Sequence, residues 1–247
     1  RAMAGGWANP VVAQLAEGAV ERGQYHGLVV QCSWPMPAHV LEAYEAFRAR
    51  LRDALPPEAY VYPGETLHCT IATLRAFPSG PLAPEDLQAE CARWLPVLRA
   101  ARAAEGWPPA NFRLRMGRPT LEGAAAIFHY EDVDGAIAAM RACLREEIAR
   151  AGGEARVAMN PGGRALAGSP AGSPAPHLPN IVHSTAVRWR AEPADREGAE
   201  EAFNSVAGTW EPLEVVVPSA SAVHEDLPYM HIPADGSRVW WASEPAA

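Results

Sequence analysis

Residues 66–74 read Thr-Leu-His-Cys-Thr-Ile-Ala-Thr-Leu, and residues 180–189 read Asn-Ile-Val-His-Ser-Thr-Ala-Val-Arg-Trp. Both runs are apolar and rich in β-branched residues, the composition of a strand with a buried face. Each also carries a histidine followed two positions later by a threonine. Side chains alternate along a strand, so His68 and Thr70 share one face while Leu67, Cys69 and Ile71 share the other. The same alternation sets His183 and Thr185 apart from Val182, Ser184 and Ala186. Twice, then, a strand suited to burial presents an imidazole and a hydroxyl side by side. On a regular strand Arg188 falls on the face opposite His183, where it braces the fold or meets solvent as readily as it meets a phosphate.

Working outward, His26–Ser33 is a further buried strand, closed by Trp34-Pro35-Met36-Pro37. Val40, Leu41, Tyr44, Phe47, Leu51 and Leu55 recur at helical spacing until Pro56-Pro57 stops them. Pro84–Ala104 reads as a second helix, kinked at Pro96. Phe112–Met116 and Ala124–Tyr130 read as strands joined through a turn over Gly117–Gly123, followed by a helix over Val133–Ala151. The segment 152–179 is rich in Gly, Pro, Ala and Ser and includes the near-repeat Ala167-Gly168-Ser169-Pro170, Ala171-Gly172-Ser173-Pro174. That composition reads as a long flexible loop from which 164–175 can be deleted without loss of the fold. An acidic helix over Arg196–Ala207 and strand runs between Leu213 and Trp241 complete an α+β chain.

The bulk numbers narrow the functions. A chain of 247 residues, 49% apolar and 20% charged, suits one globular domain or two lobes on a shared core. No apolar run reaches the length a membrane-spanning helix needs, so no membrane partner is expected. The residues Arg1-Ala2-Met3-Ala4-Gly5-Gly6 show no basic stretch followed by an apolar one, and no targeting is read from them. Cys32, Cys69, Cys91 and Cys143 form no C-x-x-C pair, and the expectation is an intracellular, reducing compartment. A net charge of −8 and a pI near 5.5 argue against gripping a long nucleic-acid tract, which takes a basic surface. A nucleotide or an RNA end held locally remains open, and the chain is expected to be a monomer.

With their flanks, His68-Cys69-Thr70-Ile71-Ala72-Thr73-Leu74 and His183-Ser184-Thr185-Ala186-Val187-Arg188 resemble the paired H-x-[T/S] motifs of the two-histidine (2H) phosphoesterase superfamily. The second is similar to its RNA 2′,5′-ligase-like and cyclic phosphodiesterase branch, where Arg often holds the last position. This sequence departs from the pattern in the long Gly/Pro/Ser segment and in Asn180-Ile181-Val182, where proline often precedes the histidine. The resemblance implies a bilobal fold of two antiparallel-sheet lobes with outer helices and a central cleft. It would occupy residues 25–247, behind an N-terminal segment 1–24. It also implies a hydrolase: a phosphodiesterase of 2′,3′-cyclic phosphates or 2′,5′-linked RNA, with RNA processing as its setting.

The chemistry suits that reading. One neutral imidazole can take the proton of a nucleophile while the other, protonated, gives one to the leaving oxygen, and histidine reaches both forms near neutrality. His68 and His183 are the expected catalytic pair, metal-independent and without a cofactor. Thr70, Thr185 and Arg188 are the expected phosphate contacts, the hydroxyls stabilising charge that develops at phosphorus. Tyr25, Trp34, Tyr62, Tyr229 and Trp240 are possible base-stacking residues. A metal site built from His224 and His231 with His26 or His129 matches no common ligand spacing. Glu225 or Asp226 is a possible partner for a catalytic imidazole. The competing readings are an exonuclease trimming RNA 3′ ends and a non-catalytic module binding nucleotides or RNA ends.

Overall fold

The computed structural model describes residues 6–157, 163–169 and 173–243. Two sheets carry the architecture. One has seven strands in the order β12-β11-β1-β3-β8-β6-β7, and the other five in the order β10-β4-β5-β9-β2. In chain order the strands are β1 (Gly27–Cys32), β2 (Ala59–Val61), β3 (Cys69–Arg75), β4 (Phe112–Glu122), β5 (Ala125–Asp132), β6 (Glu154–Val157), β7 (Gly163–Arg164), β8 (His177–Leu178), β9 (His183–Trp189), β10 (Leu213–Val217), β11 (Ala220–Glu225) and β12 (Val239–Ala242). Pairing is antiparallel except between β6 and β8. The helices are α1 (Pro10–Ala16), α2 (Ala38–Ala54), α3 (Pro84–Ala103), α4 (Ala136–Arg150) and α5 (Arg196–Ala207).

Each helix forms for a local reason. In α2, Val40, Tyr44, Phe47 and Leu51 make one buried stripe. In α5, Asp195 caps the first turn by accepting from the Gly198 amide at 2.9 Å. Helices α3 and α4 pack together, α4 also against β3, whereas α2 and α5 lie over β2 and β4. One continuous core joins the helix-side faces of both sheets, with Leu28, Ile71, Phe47, Phe128 and Trp189 fully buried within it. The outcome is the α+β, two-sheet arrangement that the resemblance implied.

Several expectations are corrected. The segment 152–179 supplies β6, β7 and β8 where it is described, and Leu166 and Leu178 are buried in the core. The Ala167 amide donates to the Ala151 carbonyl at 3.0 Å. The composition argument failed because backbone pairing to β3 requires few apolar side chains, and the deletion of 164–175 would remove Leu166 from the core. The expected loop also covers 158–162 and 170–172, which lie outside the described residues. The turn expected over 117–123 shrinks to Gly123-Ala124, because β4 continues through an irregularity between Met116 and Pro119. The residues before 25 are not peripheral: Trp7 packs on Trp189 with ring centroids 4.7 Å apart, and Val12 is fully buried.

Candidate active site

The twin motifs lie where the two sheets meet. Ser184, between His183 and Thr185, donates its hydroxyl to the His68 carbonyl at 2.5 Å and stands 3.1 Å from the Tyr130 hydroxyl. Arg141, buried on α4, donates to the carbonyls of Thr70 (2.8 Å), Ile71 (3.1 Å) and Ile181 (2.9 Å). Its guanidinium thereby fastens β3 to the segment leading into β9. Sequence reasoning missed Arg141, since nothing in a helix pattern signals a cation directed inward onto carbonyls.

Both strands share a second feature. In β3, Val30 of β1 pairs with Ala72 and Gln31 with Thr70, so Ile71 is an extra, bulged residue. In β9, Ala126 of β5 pairs with Val187 and Ile127 with Thr185, so Ala186 is the extra residue. A bulge moves every later side chain to the opposite face. Thr73 therefore joins His68 and Thr70, and Arg188 joins His183 and Thr185, at the same spacing in both strands. Burial follows the same pattern: residues 68, 70 and 73, and 183, 185 and 188, are half-buried, and the residues between them on each strand are buried. The expectation that Arg188 faces away from His183 is corrected, because it assumed a regular strand.

All six side chains line one cleft of about 530 Å³. His68 Nδ1 bonds the Thr66 carbonyl at 2.8 Å, which fixes the neutral tautomer with its proton on Nδ1 and leaves Nε2 as the acceptor. Burial lowers the His68 pKa, with the Thr66 carbonyl opposing and His231 adding to the effect. Burial also lowers His183, to about 4, assisted by His68 and then Arg188. Each imidazole disfavours charge on the other, so the pair carries one proton more readily than two. The hydroxyls of Thr70 and Thr185 make no hydrogen bond among the described residues.

Two of the aromatics expected at the rim are present, Tyr62 and Tyr229, with the Arg188 guanidinium 4.8 Å from the Tyr229 ring centroid. Three are not. Trp34 is buried in a small cluster with Val29, Val223 and Met230, its indole donating to the Glu65 carbonyl at 2.8 Å. Tyr25 lies behind Phe77, edge-on at 5.9 Å, with its hydroxyl donating to Gln14. Trp240 is on β12, the far edge of the larger sheet. Large aromatics pack before they bind, and sequence spacing does not separate the two uses.

The cleft also holds residues that no motif signalled, among them Phe77 and His177. His177 is opposite Thr73 on β8, and its Nδ1 is buried without a partner. Glu225 is buried in the cleft lining, accepting from the Met230 amide at 2.7 Å, and burial raises its pKa to about 7. A Cβ at Gly27 would lie 2.5 Å from the Glu225 carboxylate, so only glycine leaves this carboxyl its place. Arg188 Nε and the Tyr62 hydroxyl, also of cleft-lining residues, are likewise buried without a hydrogen bond of good geometry. Unpaired polar atoms that face a cavity are what a polar ligand would satisfy.

Neither Glu225 nor Asp226 bonds a motif histidine, since Asp226 is held by Arg22 and Arg238. The metal constellation is not assembled. His224 pairs with His26 at 2.6 Å, His231 bonds the Tyr60 hydroxyl at 2.8 Å, and His129 bonds Glu122. Among the described residues no group of three His, Cys, Asp or Glu is arranged to hold a metal ion.

No family profile and no curated protein matches the chain. In shape it is similar to the crystal structure of TT0787 of Thermus thermophilus, at 17% identity and a TM-score of 0.44, over 80% of this chain and 87% of that one. It is similar also to the crystal structure of E. coli LigT complexed with phosphate, at 16% identity and a TM-score of 0.44, over 81% and 87%.

Proposed function

We propose that the chain is a two-histidine phosphoesterase that cleaves a 2′,3′-cyclic phosphate or a 2′,5′-linked phosphodiester by proton transfer between His68 and His183. The observation that carries this reading is the repeated set of His, Thr and a third polar residue, brought onto one cleft by matching bulges in β3 and β9. His183 is held neutral by burial and has no ring hydrogen bond among the described residues, which suits the base. His68 suits the acid, because the Thr66 carbonyl on Nδ1 favours its protonated ring and leaves Nε2–H to donate. With a cyclic phosphate, His183 takes a proton from water as its oxygen bonds phosphorus. The P–O bond to one ribose oxygen breaks, and His68 protonates that oxygen to give a monoester. Thr70 and Thr185 donate to the non-bridging oxygens, with Arg188 supplying the nearby positive charge. Binding the anionic phosphate raises both histidine pKa values, so the acid becomes protonated as substrate arrives.

The test is a turnover panel in EDTA: nucleoside 2′,3′-cyclic phosphates, ADP-ribose cyclic phosphate, 2′,5′-oligoadenylate and short 3′-hydroxyl RNA. Hydrolysis of a cyclic or 2′,5′ substrate that disappears in His183→Ala is the expected outcome. Turnover of 3′-hydroxyl RNA alone would favour end trimming, and binding without any turnover would favour the non-catalytic reading.

A further inference from the structure

A second cavity, about 360 Å³, lies beside the edge strand β2, between α2 and the chain following β9. Its walls carry three guanidinium groups, Arg48 and Arg52 on α2 and Arg190 just past β9. Arg48 and Arg52 are four residues apart and so occupy one helix face, a spacing at which like charges repel. In a chain with a net charge of −8, carboxylate partners would be easy to supply. Among the described residues only Arg48 has one, Glu45 at 2.9 Å, and the Arg48 Nε is buried with no partner there. Arg52 and Arg190 have no side-chain ion pair or hydrogen bond among the described residues. Three cations around one cavity, two of them uncompensated and one with a buried orphan donor, are complementary to an anion.

The cavity adjoins the cleft. Arg190 extends the line of β9, its amide donating to the Glu58 carbonyl at 2.9 Å. Two residues of extended chain place its Cα roughly 6.6 Å beyond that of Arg188. Tyr60, the register partner of Arg188, lines the Arg cavity. The Tyr60 hydroxyl bonds His231, whose ring lies 5.3 Å from that of Tyr62 in the cleft wall. Tyr60 thus stands between the two spaces.

We propose that the Arg48, Arg52 and Arg190 cavity is a phosphate subsite that seats a second phosphate group of a substrate whose scissile bond lies between His68 and His183. The inference rests on the reading of the cleft given above and narrows it: the substrate carries at least two phosphates, the second being an internucleotide or a 5′-terminal one. An acidic protein then recognises a short nucleic-acid end through one local basic pocket.

The test compares kcat/KM for adenosine 2′,3′-cyclic phosphate, its 5′-phosphorylated form, and a diadenylate ending in a 2′,3′-cyclic phosphate with a free 5′-hydroxyl. The wild type should favour at least one two-phosphate substrate by about tenfold or more, as charge-assisted guanidinium–phosphate contacts warrant, and which one it favours identifies the source of the phosphate. R52A/R190A should lose that preference, chiefly through KM, while keeping the wild-type Tm and its kcat/KM on adenosine 2′,3′-cyclic phosphate. The wild-type preference should shrink at high salt, since these guanidinium groups border solvent. Equal kcat/KM on all three substrates in the wild type, or an undiminished preference in the double variant, overturns the subsite. If no substrate turns over, the reading of the cleft has failed, and calorimetric titration with inorganic pyrophosphate judges the subsite alone. Binding that survives H183A but weakens about tenfold or more in R52A/R190A supports it, and binding indifferent to the arginines overturns it.

Discussion

His68 has one ring nitrogen engaged by the Thr66 carbonyl and the other open to the cleft. His183 has no ring hydrogen bond among the described residues and is placed by its strand alone. If the two exchange protons with substrate, replacing either by alanine should lower the turnover rate roughly 10²–10⁴-fold, the usual contribution of positioned proton transfer. The double variant should lose far less than the product of the two, because the residues act as a unit. Thr70→Ala and Thr185→Ala should cost less, on the order of 10- to 10³-fold, through lost stabilisation of charge at phosphorus. Stopped assays on the preferred substrate would measure all five. Full activity in His183→Ala would reduce the second motif to strand packing. Thr66 itself lay outside the motif as read, and its signal, a carbonyl two residues before a histidine, is not a side-chain property.

The elements decide which of these residues meet. Arg141 reaches from α4 to three carbonyls on both sides of the junction, buried and with no ion pair among the described residues. Arg141→Ala would leave those carbonyls unpaired in the interior and should destabilise the fold by roughly 2–5 kcal/mol, within the range for buried groups that lose their partners. Arg141→Lys should recover only part of this, since an ammonium cannot reproduce the planar fork. Urea unfolding would check both, and an unchanged midpoint in Arg141→Ala would show that water replaces the guanidinium. Helices α2, α4 and α5 and strands β1, β3 and β9 were legible within about three residues, because a stripe or a buried run states its own period. The bulges were not. Ile71-Ala72 and Ala186-Val187 read as ordinary apolar strand, and only pairing with β1 and β5 reveals an extra residue, so Arg188 was assigned to the wrong face. Short pieces such as Ala59–Val61 and His177–Leu178 were missed for a related reason: a neighbouring strand, not their own composition, makes them strands.

At the scale of the whole molecule, six histidines are kept from their protons. Burial lowers His26, His68, His177 and His231, and brings His183 and His224 to about 4. An unfolded chain would protonate them near 6.5, so between about 6.5 and 4 the unfolded state binds more protons than the folded one. Stability contributed by the neutral rings is present above about 6.5 and is lost as pH falls through that window. Glu225 acts in the opposite sense. Its folded pKa of about 7 lies above the ordinary value of 4.5, so its contribution grows as pH falls from 7 to 4.5, but it is one group against six. The melting temperature should therefore fall from pH 7 to pH 4.5, and His183→Asn, which keeps a polar group at the site but cannot titrate, should flatten that fall. Inorganic phosphate should offset part of it, because an anion between His68 and His183 raises both pKa values and binds only the folded state. Its stabilising effect should increase as pH drops toward about 5, a range in which phosphate in solution is already largely the monoanion and the histidines take up the protons. Calorimetric titration in buffers of different ionisation enthalpy should show proton uptake on phosphate binding near pH 6.5. If phosphate stabilises equally at pH 7.5 and pH 5.5, with no proton taken up, the two imidazoles do not meet one phosphorus, and the cleft would have to bind its anion through Arg188 and the threonines alone.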